Sequence, residues 1–181
     1  RRLAEQGKLG QPLGIAVAED GKIYLGDGRT GSVRVFDQQW NLLGHLGQGQ
    51  GEFSLPGYIA ALTDAGTTTV YVSDGLAHTI KVYRDGVLIA RFGSRGVGPN
   101  QFDFPAGIWI SPERQVFVVD QNGDRVQVLD LEGRFLRWFT VLPDPSQAVR
   151  SGRAQGITGD GQGRLFITDT FQGFVKVFDL S

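Results

Sequence analysis

The 181-residue sequence predicts an all-β repeat fold, and three observations carry that prediction. A fifteen-residue block recurs four times without gaps: IYLGDGRTGSVRVFD (23–37), VYVSDGLAHTIKVYR (70–84), VFVVDQNGDRVQVLD (116–130) and LFITDTFQGFVKVFD (165–179). In each block a largely apolar run ends on an aspartate, a five-residue turn follows, and apolar residues then alternate with others, as in a strand buried on one face. The aligned acids Asp27, Asp74, Asp120 and Asp169 stand 47, 46 and 49 residues apart, near the period of a four-stranded β-propeller blade. Glycine, at 27 residues, is about twice its ordinary share, which favours many tight turns over long helices.

Each repeat supplies its strands in a fixed order. The first strand begins at Pro12, Pro105 and Ala154, fifteen residues before the corresponding acid, and reads LGIAV, AGIWI or QGITG. In the second copy Pro56 lies eighteen residues ahead of Asp74, because DAGTTT (64–69) lengthens the connection between first and second strands, and that insertion is expected to form a loop. The fifteen-residue block holds the second and third strands. The fourth reads LLGHLG (42–47), VLIARFG (87–93) and RFLRWFT (134–140), followed by a Gly, Gln and Pro-rich linker such as GSRGVGPNQFDFP (93–105). Phe53, Phe102 and Phe104 on these linkers are expected to anchor them over the core.

The last copy lacks an outermost strand, while Arg1 to Ala4 look like the end of one. The domain expected is therefore a single unit over 1–181, with repeats at about 5–53, 54–102, 103–150, and 151–181 completed by 1–4. Pairing of Arg1 to Leu3 with Val175 to Asp179 would join the termini and close four blades as a monomer. In a piece of a larger ring the apolar sides of the first and last blades would stay open, and self-association would follow. With no methionine in the chain, its start at Arg1 is expected to reflect processing or excision from something longer.

Lysine plus arginine at 18 nearly balances aspartate plus glutamate at 19, so no overall field draws nucleic acid or an anionic membrane. The absence of cysteine excludes disulfides, thiolate zinc sites and a cysteine nucleophile. There is no apolar run of membrane-span length and no signal-like segment.

Taken together, P-x-G-I-A-V, a V-Y-V-x-D strand, a five-residue turn, R-I-Q-V-F-D, F-L-x-x-F-G and a G-x-G-x-x-Q-F linker resemble the NHL repeat family over nearly the whole chain. The resemblance implies a β-propeller, or a segment of one, with four visible four-stranded blades. It is specific for fold and unspecific for function. Two departures stand out: rings of this family usually have five or six blades, and Ala154 replaces the first-strand proline in the last copy. The functions it implies are a protein-binding scaffold, a propeller enzyme resembling streptogramin lyases or lactonases, or an RNA reader. Freedom from cysteine and methionine, with the extracytoplasmic location of many similar bacterial proteins, leans towards a periplasmic or secreted setting.

The four aligned acids read as structural groups whose carboxylates accept main-chain N–H bonds within the five-residue turn, as in an Asx-turn. DQNGD (120–124) begins like a calcium loop, but Arg125 stands at position six in place of glycine and Leu131 at position twelve in place of glutamate. Ser73, Asp74 and His78 form a catalytic set on paper, although residues of one turn rarely reach triad geometry. His45, the other of the two histidines, falls in an outer strand. The innermost strands, GIAVAED, GYIAALTD, GIWISPE and GITGDG, carry no histidine for an axial metal. No catalytic residue, metal or cofactor is therefore expected.

Antiparallel connectivity brings the second-to-third strand turns and the inter-blade linkers to one face. There Arg29, His78, Arg95, Arg125, Arg150 and Arg153 mix with Glu52, Asp103, Asp124 and Asp144, unlike the uncompensated basic stripe of a nucleic-acid reader. Phe171 and Phe174 fall in the turn of the last copy, where other copies carry Arg29, Ser32, Leu76, Thr79 and Asn122. Arg29, His78, Arg95, Asn122, Arg125, Arg153, Phe171 and Phe174 are thus the candidate contacts, and a protein the expected partner. The opposite face, with its DG, PE and DGQG turns, is expected to offer simple reversals.

Overall fold

The computed structural model describes residues 9–141 and 153–180. The first sheet is a meander of β1 (Pro12–Val17), β2 (Ile23–Asp27), β3 (Ser32–Phe36) and β4 (Leu42–His45). The second comprises β5 (Pro56–Asp64), β6 (Thr67–Asp74), β7 (Thr79–Arg84) and β8 (Val87–Phe92). In the following linker β9 (Ser94–Arg95) and β10 (Gln101–Phe102) form a short parallel pair. The third sheet holds β11 (Pro105–Ile110), β12 (Val116–Asp120), β13 (Arg125–Leu129) and β14 (Phe135–Thr140). Among the described residues the fourth has three strands, β15 (Ala154–Gly159), β16 (Arg164–Asp169) and β17 (Phe174–Asp179). All four sheets are antiparallel, and they stand side by side as the blades of a β-propeller with β1, β5, β11 and β15 innermost. Arg1 to Ala4, and with them the proposed closing strand, lie outside the described residues.

The register repeats as closely as the sequence does. Pro12 pairs with Asp27, Pro56 with Asp74, Pro105 with Asp120 and Ala154 with Asp169, and each pair is followed by a bulge before regular pairing resumes. Proline suits this place, at a strand's first residue beside a bulge, because it has no N–H to give to a ladder.

The core lies between successive blades. Val33 and Val35 of blade 1 pack with Ile59, Val70, Val72 and Tyr83 of blade 2. Ile80 and Val82 then meet Ile108, Val116 and Val118 of blade 3, and Val126 and Val128 meet Ala154, Leu165 and Ile167 of blade 4. Each fully buried valine or isoleucine contributes about 1.5–3 kcal/mol by leaving water. Linker aromatics complete these cores: Phe53 and Phe102 are buried, and Phe53 lies 5.6 Å from the Tyr83 ring.

One element differs from expectation. DAGTTT extends a hairpin instead of forming a loop, because Thr67 and Thr69 join β6, and Ala65 and Gly66 make a two-residue turn. Their φ values of 47° and 79° match the primed turn whose twist suits antiparallel strands. β5 and β6 consequently run nine and eight residues, longer than the other inner strands.

Near the propeller axis the backbones approach closely. A Cβ on Gly107 of β11 would stand 2.3 Å from the carbonyl oxygen of Gln155 in β15, whereas one on Gly44 of β4 would meet nothing within 4 Å. Gly107→Ala is therefore expected to destabilise the fold by about 1–3 kcal/mol, the usual cost of overpacking, and Gly44→Ala to change it by less than about 1 kcal/mol. Denaturant melts of the two variants against the parent check this contrast.

Candidate binding face

Asp27, Asp74, Asp120 and Asp169 end the second strands almost completely removed from solvent. A carboxylate so placed needs several donors to remain charged. The recurring donors are the amides immediately ahead of the first strand. Gly10 and Gln11 donate to Asp27 at 2.9 and 3.0 Å, and Leu55 and Ser54 donate to Asp74 at 2.8 and 3.0 Å. Asp103 N–H reaches Asp120 at 2.7 Å and Arg153 N–H reaches Asp169 at 3.1 Å. Own-turn donors are added at Asp27, from Arg29 and Thr30, and at Asp169, from Phe171 and Gln172. At Asp74 and Asp120 linker amides and a cation take that part.

The cation comes from the third strand. Arg34, Lys81 and Lys176, each seven residues after its acid, stand 3.5, 3.1 and 2.9 Å from Asp27, Asp74 and Asp169. The ammonium groups also reach the preceding linker: Lys81 donates to Glu52 O, and Lys176 to Val141 O at 2.6 Å. Blade 3 reaches the same result differently. Gln127 occupies the cation's position, joining Asn100 N–H to Gln101 O, while Arg125 binds Asp120 at 2.9 Å and donates to the carbonyls of Val97, Gly98 and Gln101.

Burial works against ionisation of Asp27, but its four backbone donors outweigh it and hold the carboxyl below the usual aspartate range. Asp169 is likewise lowered, burial being overcome by Lys176 and the Gln172 and Arg153 amides. At Asp120 burial prevails and pushes the carboxyl up despite Arg125 and the Asp103 amide.

On this framework the candidate contacts separate. Arg29, Arg95, Asn122, Arg153, Phe171 and Phe174 are exposed on the face of turns and linkers. Arg153 O also accepts from Thr170 N–H at 3.0 Å, which fixes the turn that carries Phe171. Arg125 is a correction: it is buried, its donors are taken by Asp120 and the linker, and its guanidinium stacks 4.7 Å from the Trp138 ring. His78 is half-buried, and its Nδ1 accepts from Phe104 N–H at 3.2 Å. The paper triad is dispersed, since Ser73 Oγ bonds the Tyr58 backbone and Asp74 faces Ser54, Leu55 and Lys81. Leu76 and Val97, not among the candidate contacts, are exposed on the same face. Val97 sits between two glycines of a linker, a context that signals a protruding loop residue.

The opposite face holds more than simple reversals. A cleft of about 570 Å³ opens between blades 2 and 3, lined among others by Asp64, Tyr71, Arg84, Arg114, Leu131 and Glu132. The extended β5–β6 hairpin forms one wall, and Arg114 bridges to its Asp64 at 2.9 Å. Among the described residues no group of three or more His, Cys, Asp or Glu is placed to hold a metal, and no helix is long and apolar enough to cross a membrane.

No protein-family model matches the chain. Segments of 45 residues, 25% of the chain and close to one repeat, are 40% identical to "Protein brain tumor" of Drosophila melanogaster and 42% identical to "B-box type zinc finger protein ncl-1" of Caenorhabditis elegans. They span 4% and 5% of those proteins. Among solved structures, virginiamycin B lyase from Staphylococcus aureus, in a catalytically inactive histidine-to-alanine form with quinupristin, matches 96% of this chain and 57% of its own, with a TM-score of 0.68 at 15% identity. A Bacteroides thetaiotaomicron protein of unknown function matches 94% of this chain and 47% of its own, with a TM-score of 0.72 at 18% identity. The chain thus spans about half the length of these propellers, and at such identities the likeness establishes the fold alone.

The acid–cation ties generate a prediction. Asp169→Asn leaves the Lys176 ammonium without its carboxylate and is expected to lower stability by about 2–4 kcal/mol at neutral pH. Asp27 and Asp169 have folded pKa values below the unfolded one, so their stabilisation is present above the ordinary aspartate pKa and is lost as pH falls through the lowered values. Asp120, being raised, contributes with the opposite sign. Denaturant titrations near pH 7 and pH 3 should show acid destabilisation in the parent and a smaller loss in Asp169→Asn.

Proposed function

We propose that the chain is an NHL-type propeller unit that serves as a non-catalytic binding scaffold and docks another protein on the face of turns and linkers. One observation carries this reading. The residue two places after each tied acid is exposed in all four blades, and it is a different chemical type in each: Arg29, Leu76, Asn122 and Phe171. Four buried, linker-tied acids hold four unlike exposed side chains, which is how a rigid scaffold builds recognition from loops. Phe171, Phe174, Leu76 and Val97 supply exposed apolar anchors, and Arg29, Arg95 and Arg153 supply polar contacts around them. The repeat pattern resembling NHL sequences, with short matches to two animal proteins, supports the assignment of the unit.

A lyase-type propeller is the second reading, and the solved structures favour it through a Streptogramin B lyase with a TM-score of 0.67 at 18% identity. Its support in this chain is thinner: His45 lies on outer strand β4, and His78 Nδ1 is engaged by a linker amide.

Replacing Phe171 and Phe174 with serine tests the docking face. The variant should melt with the parent and lose more than about 2 kcal/mol, roughly 30-fold, in affinity for a protein retained by the immobilised parent chain. Equal affinity in the folded variant would remove both rings from the site, and a lowered melting temperature with unchanged affinity would assign them to packing.

A further inference from the structure

The aromatic residue three places before each of the first three tied acids lines a cavity between its own blade and the next. Tyr24 lines one of about 250 Å³ between blades 1 and 2, and Phe117 one of about 290 Å³ between blades 3 and 4. Tyr71 lines the cleft between blades 2 and 3, which at about 570 Å³ is roughly twice as large. The difference follows from the insertion DAGTTT (64–69). It lengthens β5 and β6, and its Asp64, Thr67 and Thr69 add a wall to this cleft alone. Additions to single repeats gather on the binding face of repeat proteins, and small-molecule sites commonly enclose about 300–1,000 Å³.

Val82, Ala90 and Leu131 at the base of the cleft belong to the core between blades 2 and 3, so its floor is apolar and fixed. Charges of both signs surround that floor. Arg114 is held by Asp64, whereas Arg84 touches Thr69 Oγ at 3.4 Å and no carboxylate among the described residues. The Glu132 carboxylate has no hydrogen-bond or ion-pair partner among the described residues either. Both act on the buried Tyr71 hydroxyl, which donates to Leu131 O at 3.1 Å. Burial pushes that hydroxyl up to about 12, Glu132 adds to the rise, and Arg84 and Arg114 oppose it. A cation and an anion without partners thus converge on one hydroxyl above an apolar floor.

We propose that this cleft binds a small apolar zwitterion, an apolar amino acid or short peptide with free termini, its carboxylate on Arg84 and its ammonium on Glu132 and the Tyr71 oxygen. A simple organic anion would meet the carboxylates of Glu132 and Asp85, and a simple cation would meet Arg84 and Arg114. A molecule with one charge of each sign on an apolar body answers the whole lining. The Arg84 guanidinium offers a planar fork that matches a carboxylate. Tyr71 gives its proton to Leu131 O, so its oxygen is left to accept from an ammonium. The inference is independent of the docking function proposed above, which uses the opposite face.

Titrating dileucine with free termini into the full chain should shift the amide resonances of Tyr71, Arg84, Leu131 and Glu132 to saturation. Arg84→Gln and Glu132→Gln should each melt with the parent and weaken binding about tenfold or more. Blocking one end of the ligand separates the two contacts. N-acetylation should cost the parent as much affinity as Glu132→Gln does, and cost that variant nothing further. Amidation of the carboxylate should stand in the same relation to Arg84→Gln. The capped ligands read both contacts in the parent chain, so the test holds even where a variant loses its fold. Absence of saturable shifts at the cleft, capped dipeptides that bind as well as the free one, tighter binding of the acetylated form, which would mark an organic-anion site, or folded variants with the parent's affinity would overturn the proposal.

Discussion

A buried carboxylate at the end of every second strand is the constraint on which the remaining structure depends. Charge held away from water is unfavourable unless donors surround it, and the four acids find donors on three separate pieces of chain. Linker amides approach from ahead of the first strand, a basic side chain approaches from the third, and at Asp27 and Asp169 the turn itself contributes. Because Lys81 and Lys176 also donate to carbonyls of the linker, each tie closes a circuit of second strand, third strand and incoming linker. The sheets would otherwise be joined to one another mainly by non-directional apolar contact.

This arrangement separates framework from content. Once the acid fixes where the turn begins and the cation fixes where the next strand lies, the residues between them carry few duties in the fold. Arg29, Leu76, Asn122 and Phe171 can then differ without cost to register. Blade 3 shows that the cation's position is itself exchangeable, since Arg125 and Gln127 together do the work done elsewhere by a single Arg or Lys. The same exchange moves Arg125 from the pool of contact residues to the set that holds the blade.

Much of this was legible in the sequence because it repeats. The period placed the strands, and the recurring proline and aspartate marked two residues that prove to be register partners in three blades, with Ala154 and Asp169 paired in the fourth. The basic residue seven places after the acid recurs in three of four copies, but a charged residue alternating with apolar ones along a strand carries no signal of its own that it is tied to a buried acid. Burial of Arg125 was hidden for a related reason: a charged residue at the edge of a turn reads as surface until the linker that covers it is placed. The DAGTTT hairpin depended on the backbone of Ala65 and Gly66, and the cleft beside it required two blades to be set against each other. Neither is a property of one repeat, whereas the ties are.

Amide hydrogen exchange at Gln11, Leu55, Asp103 and Arg153 is the most direct measurement of the central tie. These four residues lie in irregular linker segments, yet their N–H groups point at buried carboxylates. Protection comparable to that of the strand amides beside them is expected at neutral pH, with selective loss at the matching position when one acid is changed to alanine. Exchange at the rate of free loops in the parent, or protection that persists after the acid is removed, would contradict it.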